Sequence, residues 1–300
     1  MKKKILITGK NGMLASEFLE KFGDNEKFQI FAFDKKELDI TKFSEIEKKV
    51  FVVQPDIILN FSAYTNVDDA EDIGEGLNFA VNFDGVENLA KISGKNKIDF
   101  ITISTDFVFD GENENGYSEK DFPNPTNQYG FAKFLGEKSA KEFNENSIII
   151  RTSWLYGGGK KFKNFVNTML NLGEKLEKGE LKKLKIIADQ FGNPTYCGDL
   201  ADGIFKVLEN IEKYRGKIFH FSNEISDKNN KKISWFDFAE EIFLQSGKKI
   251  GENVGNIKKI SVSEYKRKAR TPKFSILKNN SEIKIGDWKI GLKKYFEKIL

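Results

Sequence analysis

A short β-rich run, Ile5-Leu6-Ile7-Thr8, stops at Gly9-Lys10-Asn11-Gly12-Met13-Leu14-Ala15, and an amphipathic pattern through Phe18, Leu19 and Phe22 takes over. Strand, glycine turn and helix in direct succession are the context a dinucleotide-binding βα unit requires. Gly9 permits a tight turn. Gly12 lets the backbone approach a pyrophosphate, which the free amides and dipole of the helix N-terminus favour. Ala15 stands where a third glycine often sits and is small enough for close helix–strand packing. An ordinary βα turn has the same local pattern, so the rest of the chain decides between them.

The rest of the chain alternates in the same sense. Residues 28–33 read as a second strand ending at Asp34, and an acidic residue ~20 positions beyond the turn accepts hydrogen bonds from the adenosine ribose hydroxyls. Asp34 would oppose a 2′-phosphate, an effect that Lys35 and Lys36 soften. Asp39-Ile40-Thr41 opens a helix, with Thr41 as its N-cap. Residues 56–60 form a third buried strand that ends in Phe61-Ser62-Ala63-Tyr64-Thr65. A long helical pattern around Phe79, Val81, Val86 and Leu89-Ala90 leads to a fourth strand at 98–103, followed by Ser104, Thr105 and Asp106. A helix after Pro123 and Pro125 leads to a fifth strand at 147–150. Mostly continuous apolar strands alternating with helices predict an α/β fold built on a Rossmann-type, doubly wound parallel sheet. Such sheets bind ligands beyond the carboxyl ends of their strands, where Gly9, Asp34, residues 62–65 and residues 104–106 all fall.

The later chain is less regular, with helical patterns at 162–172, 200–208, 235–244 and near the C-terminus, and a loop at 189–195. Residues 1–155 are expected to be mainly an NAD(P)-binding domain, and 156–300 mainly a smaller substrate-binding part interleaved with it. Gly157-Gly158-Gly159-Lys160-Lys161 is not a phosphate loop: it lacks the four-residue gap between glycines and the hydroxyl residue after the lysine.

Tyr129-Gly130-Phe131-Ala132-Lys133 places a phenol and an ammonium one helical turn apart. A lysine held there favours the phenolate, so the tyrosine pKa is expected to fall from ~10 toward working pH, giving a usable proton donor and acceptor. Such pairs also occur as plain surface decoration. Its position behind Ser104-Thr105-Asp106, and far downstream of Gly9, gives it weight.

Net charge is only +4, with lysines dispersed among acidic neighbours, which argues for a solvated surface and against nucleic-acid binding. Cys197 is the only cysteine, so no intrachain disulfide forms, and it reads as a small buried residue. His220, the only histidine, lies in the apolar run Ile218-Phe219-His220-Phe221 and reads as a core or strand residue before a catalytic base. With so few soft ligands no zinc site is expected. The basic start Met1-Lys2-Lys3-Lys4 precedes an apolar run too short for a signal peptide, and no stretch reaches membrane-spanning length, so a cytoplasmic chain is expected.

With these residues in hand, the chain resembles the extended short-chain dehydrogenase/reductase superfamily, and within it the dTDP-4-dehydrorhamnose reductase family. The resemblance runs almost end to end, through GKNGML at Gly9, SAYTNVDDAE at Ser62, VNFDGVENLA at Val81, STDFVFDG at Ser104, YGFAK at Tyr129, RTSWLYG at Arg151, DQFGNPT at Asp189 and SWFDFA at Ser234. It implies that Gly12, Met13, Leu14, Asp34, Asp39, Ile40, Ala63, Tyr64 and Thr65 contact the nicotinamide dinucleotide. Thr105, Tyr129 and Lys133 would be the catalytic trio, with Lys133 also on the nicotinamide ribose. Thr105, Asp106 and Trp154 would contact the sugar nucleotide, and the loop at 189–195 would offer it polar contacts. From position alone Trp154 reads equally as a core aromatic.

The implied activity is NAD(P)H-dependent reduction of the C4 ketone of dTDP-4-dehydro-β-L-rhamnose to dTDP-L-rhamnose. The rivals are another sugar-nucleotide reductase or epimerase of the superfamily, and a non-catalytic NAD(P)-binding regulatory subunit. A dehydratase fits less well, because Phe107 stands where its second carboxylate is expected. Arg270-Thr271-Pro272 departs from the family's usual arginine–proline pair, which bears on the sugar more than on the chemistry. Some relatives use Mg2+ at a dimer contact. A homodimer is compatible with this chain, but no residue can be assigned to such a metal.

Overall fold

The chain follows the predicted alternation through β1 (Lys3–Thr8), α1 (Met13–Phe22), β2 (Phe28–Phe33), α2 (Phe43–Val53), β3 (Ile57–Asn60), α3 (Glu75–Phe79), α4 (Gly85–Lys95), β4 (Asp99–Thr105), α5 (Gln128–Phe143) and β5 (Ile148–Thr152). The computed structural model describes residues 2–226, 232–254 and 256–300, so Met1 of the basic start lies outside the described residues. These strands pair in parallel in the order β2-β1-β3-β4-β5. Pleating sends Ile5, Ile7, Ile57, Leu59 and Ile101 to one face, under Leu14 and Phe18 of α1. Leu6, Ile58 and Phe100 go to the other face, under Ile46, Val50, Val86 and Leu89 of α2 and α4. Both faces are covered, which is why the strands read as continuous apolar runs.

From β1 the chain turns to one side for β2 and to the other for β3, which opens a crevice at the carboxyl ends of β1 and β3. Gly9 lies in it with φ +71°, and a Cβ there would come 2.7 Å from the Ser62 amide nitrogen and 2.8 Å from the Phe61 carbonyl carbon. Glycine is needed both for the turn and for this close approach.

Two local expectations fail. Thr41 does not cap α2, which starts at Phe43 behind Lys42 with no capping side chain. Asp39 captures both the Thr41 amide and hydroxyl, at 3.1 and 2.8 Å, a local alternative that Asp offers readily. Residues 189–195 are not a plain loop. After β6 (Leu155–Tyr156), α6 (Phe165–Glu177) and β7 (Leu184–Ile187), they contain β8 (Phe191–Gly192) and begin β9 (Thr195–Tyr196). Two-residue strands exist only through distant partners, so the local sequence does not show them: β9 pairs with β6.

After α7 (Cys197–Glu209) and α8 (Ile211–Tyr214) the chain returns to the main sheet. α7 packs on α1, and β10 (Ile218–His220) extends the sheet parallel to β5. Cys197 and His220 are both buried. The last part contains β11 (Ile233–Ser234), α9 (Trp235–Gln245), β12 (Ile257–Ile260), β13 (Phe274–Ser275) and α10 (Trp288–Ile299). β11 and β13 flank β8, and β12 pairs with β7. A second core of Tyr156, Phe236, Phe238, Phe243, Trp288 and Tyr295 lies here. Each fully buried phenylalanine stabilises it by ~1.5–3 kcal/mol. Among the described residues no helix is long and apolar enough to cross a membrane.

Candidate active site

Two adjoining depressions lie at the carboxyl ends of the strands. A groove of about 430 Å³ is lined by Gly9, Gly12, Asp34, Asp39, Ile40, Ala63 and Tyr64. It runs into a cleft of about 560 Å³ lined by Gly12, Met13, Leu14, Ala63, Thr65, Thr105, Asp106, Tyr129, Lys133 and Trp154. Gly12, Phe61, Ser62 and Ala63 border both. Outside the loop at 189–195, the fold thus brings the singled-out cofactor, catalytic and sugar-contacting residues into one continuous surface. A larger hollow of about 630 Å³ between α2 and α4 contains none of them.

The groove has the donor set a dinucleotide needs. Gly12 is the N-cap of α1 and brings no side chain to its first turn, so the opening amides stay free for an anion. Asp34 accepts from Asn11 Nδ2 at 3.0 Å and from the amides of Lys36 and Glu37 at 2.8 and 3.1 Å. The Glu37 amide, above all, holds its carboxyl below the usual range, which keeps it an acceptor. The exit loop of β3 is pinned by Asn82, which accepts from the Tyr64 amide at 3.1 Å and donates to the Tyr64 carbonyl at 2.8 Å. Asn82 lies in a π-helical turn, Ala80–Asp84, between α3 and α4. A reduced nicotinamide dinucleotide therefore fits these residues.

In the cleft, Asn127 caps α5 by accepting from the Gly130 amide at 2.8 Å. A Cβ on Gly130 would lie 2.1 Å from the Phe107 carbonyl oxygen, so glycine alone lets α5 meet the turn after Thr105. Tyr129 packs against the Phe107 ring at 5.6 Å. Tyr129 and Lys133 are both buried. The expected fall in the tyrosine pKa does not occur. Burial pushes the Tyr129 phenol well above its ordinary value, against the pull of the neighbouring Thr105 hydroxyl. The Lys133 ammonium donates to the Ile103 carbonyl at 2.5 Å, and burial brings its pKa down to about 8. Desolvation dominates both groups, and neither shift has the other group among its causes. Asp106 Oδ1 accepts from the Thr105 hydroxyl at 2.9 Å. Burial raises the Asp106 carboxyl to about 6, against the hydroxyls of Ser275 and Thr105.

Residues 2–300 match the family described as RmlD substrate binding domain. The chain belongs to that family. It is 34% identical over 299 residues to a dTDP-4-dehydrorhamnose reductase of Aggregatibacter actinomycetemcomitans, covering 97% of each chain. It is 31% identical to the dTDP-4-dehydrorhamnose reductase of Escherichia coli strain K12, covering 98% of this chain and 97% of that one. The crystal structure of a dTDP-4-dehydrorhamnose reductase from Bacillus anthracis str. Ames in complex with NADP has a TM-score of 0.88 and 36% identity, covering 99% of this chain and 100% of that one.

In this RmlD-family chain Trp154 takes φ +45°, and its ring stacks on Trp235 at 3.4 Å. A Cβ on Gly192 would lie 2.4 Å from the same ring. The indole is thus fixed flat against the second core and also lines the cleft. The polar groups of residues 189–195 are committed elsewhere. Asp189 accepts from the Ser261 hydroxyl and the Val262 amide at 2.6 and 2.8 Å, Gln190 donates to Thr271 Oγ1 at 2.6 Å, and Asn193 accepts from the Leu277 amide at 3.0 Å. They tie the late loops together and do not line the cleft. Cleft residues not singled out from the sequence include Val67, Thr152, Phe162 and Lys163. Thr152 ends β5 opposite Thr105, so the strand-end rule could have found it. Among the described residues no group of three His, Cys, Asp or Glu could hold a metal ion.

Proposed function

We propose that this chain is a dTDP-4-dehydrorhamnose reductase, reducing the C4 ketone of dTDP-4-dehydro-β-L-rhamnose to dTDP-L-rhamnose with NADH or NADPH. The observation that carries it is the meeting of Thr105, Tyr129 and Lys133 where the dinucleotide groove opens into the wider cleft, in a chain similar to such reductases over nearly its whole length. The reduced nicotinamide, when bound, supplies the hydride. Tyr129 gives its proton to the C4 oxygen as negative charge develops there. A phenol kept neutral by burial is in the right form for a donor in the reducing direction. Thr105 would turn its single hydroxyl proton from Asp106 to the same oxygen when the sugar binds, in a site where a donor is worth more than in water. Lys133 binds the nicotinamide ribose and stabilises the phenolate left behind. Trp154 offers a flat face to the sugar ring, and Asp106 orients Thr105 through their hydrogen bond.

Residues 1–155 would serve mainly the cofactor and 156–300 mainly the sugar nucleotide, interleaved where α7 and β10 return to the first sheet. Asp34 favours NADH, and Lys35 and Lys36 keep the preference small. The test is oxidation of NADH and NADPH against a panel of dTDP- and UDP-keto-sugars. Turnover with the dTDP-4-keto-6-deoxy sugar is expected. Cofactor binding with no turnover of any dTDP-keto-sugar would overturn the reading and favour a regulatory subunit.

A further inference from the structure

Four residues beyond Lys133, on the same face of α5, stands Glu137, and both side chains are 5% exposed. Its carboxylate clamps Arg151 of β5 through two hydrogen bonds, Nε to Oε1 at 2.9 Å and Nη2 to Oε2 at 2.6 Å. Arg151 Nη1 lies 3.3 Å from His220 Nε2 on β10, and His220 Nδ1 lies 3.1 Å from the Tyr117 carbonyl. Burial, with Arg151 beside it, pushes the histidine down to about 4, so it is neutral at working pH. A carbonyl at Nδ1 accepts the ring's one proton, which leaves Nε2 to accept from Arg151. The guanidinium also sits 5.0 Å from the centre of the Phe109 ring. Every partner is thus satisfied, and the cluster spans α5, two strands and the loop after β4. Replacing a buried ion pair by apolar residues is often neutral or stabilising, so stability alone does not account for it.

We propose that Glu137 is a positioning residue: held by Arg151 and His220, it fixes the rotation of α5 on β4 and β5 and so aims the Tyr129 hydroxyl and the Lys133 ammonium into the cleft. The same contact places the carboxylate one turn from Lys133. Around α5, Glu71 accepts from the Gln128 amide at 2.9 Å, Glu87 accepts from the Ser139 hydroxyl at 3.1 Å, and Asp106 accepts from Thr105 at 2.9 Å, while Glu137 also favours the charged form of Lys141 one turn further on. Among the described residues, Glu137 is the group that favours the charged lysine against burial. Arg151 leads within three residues to Trp154, so one clamp joins the proton donor's helix to the strand that presents the indole.

The turnover arm of the test rests on the reductase reading, whereas the titration arm does not. Glu137→Gln leaves Arg151 buried without a counter-charge, and Glu137→Met with Arg151→Met removes both charges and keeps the packing. Lys133 Nζ is titrated by NMR in the wild type and both variants, with Lys133→Met assigning the signal, alongside thermal melts and pH profiles of kcat. In both variants the Lys133 titration and the basic limb of kcat are expected to move down by about one pH unit, an approximately tenfold loss of turnover on that limb. The double variant is expected to melt at or above the wild-type temperature yet stay impaired. If Glu137→Gln fails to fold, the double variant provides the same readings. An unmoved lysine titration, or a double variant with wild-type kcat, would show that the cluster is only structural and overturn the proposal. Absence of turnover in the wild type would defeat the reductase reading, and the titration would still decide the role of Glu137.

Discussion

Burial sets the chemistry of the two ionisable groups nearest Thr105. Tyr129 is kept a phenol, the form that the proposed mechanism needs in a proton donor. Tyr129→Phe keeps the ring and loses the donor. Turnover should fall by ~10²–10⁴-fold with cofactor affinity retained, as read by steady-state kinetics beside a cofactor titration. Asp106 bears a cost. Its folded pKa of about 6 lies above the carboxylate's usual 3.8, so the folded state holds the proton more tightly and stability falls as pH rises through that window. Asp106→Asn should therefore stabilise the fold at pH 7 by on the order of 2 kcal/mol. The gain should shrink below pH 6 and vanish below about pH 4, while the Thr105 hydroxyl keeps a neutral acceptor in place of a charged one. Melts across that pH range check the sign, and a gain independent of pH would mean that ionisation of Asp106 is not its source.

At the scale of elements, the site is assembled where backbones cross closely. α5 meets the turn after β4 at Gly130, and the exit of β3 meets the end of β1 at Gly9. Gly9→Ala combines a φ of +71°, worth ~1–2 kcal/mol of strain for a side chain, with backbone overlap at Phe61 and Ser62. The expected result is a lower melting temperature and a larger proportional loss of cofactor affinity than of sugar affinity. An unchanged melt would show that the Phe61–Ser62 loop yields freely. The π-helical turn that sets Asn82 against Tyr64 belongs to the same level. Its apolar pattern announces a helix, but the extra residue in the turn has no local signal.

At the scale of the whole molecule, the late chain is tied back to the turn that follows the exit loop of β3. Asp68 accepts from Arg267 Nε at 3.2 Å and from the Ala269 amide at 3.1 Å, Lys268 pairs with Asp72, and Asn127 donates to the Arg270 carbonyl at 2.8 Å. These contacts latch residues 267–270 beside Val67, a cleft residue. Asp68→Asn weakens the latch without touching the groove. The KM for the sugar nucleotide should rise several-fold with little change for the cofactor. Raising salt should erode the wild-type advantage, because the pair is partly exposed. Equal effects on both ligands would place the latch outside sugar binding.

The order of strands and helices through β5, the glycine turn, Asp34 and the Tyr129–Lys133 spacing are all legible in the sequence, because periodicity, turn chemistry and helical spacing act over a few residues. The tertiary structure decided what depends on distant neighbours. It decided that burial keeps Tyr129 a phenol, that Thr41 turns to Asp39 instead of capping α2, and that the polar groups of residues 189–195 brace the late loops. It also set the Glu137–Arg151–His220 cluster and the return of β10 to the first sheet. Burial and long-range pairing are properties of the packed chain, and no short stretch of sequence contains them.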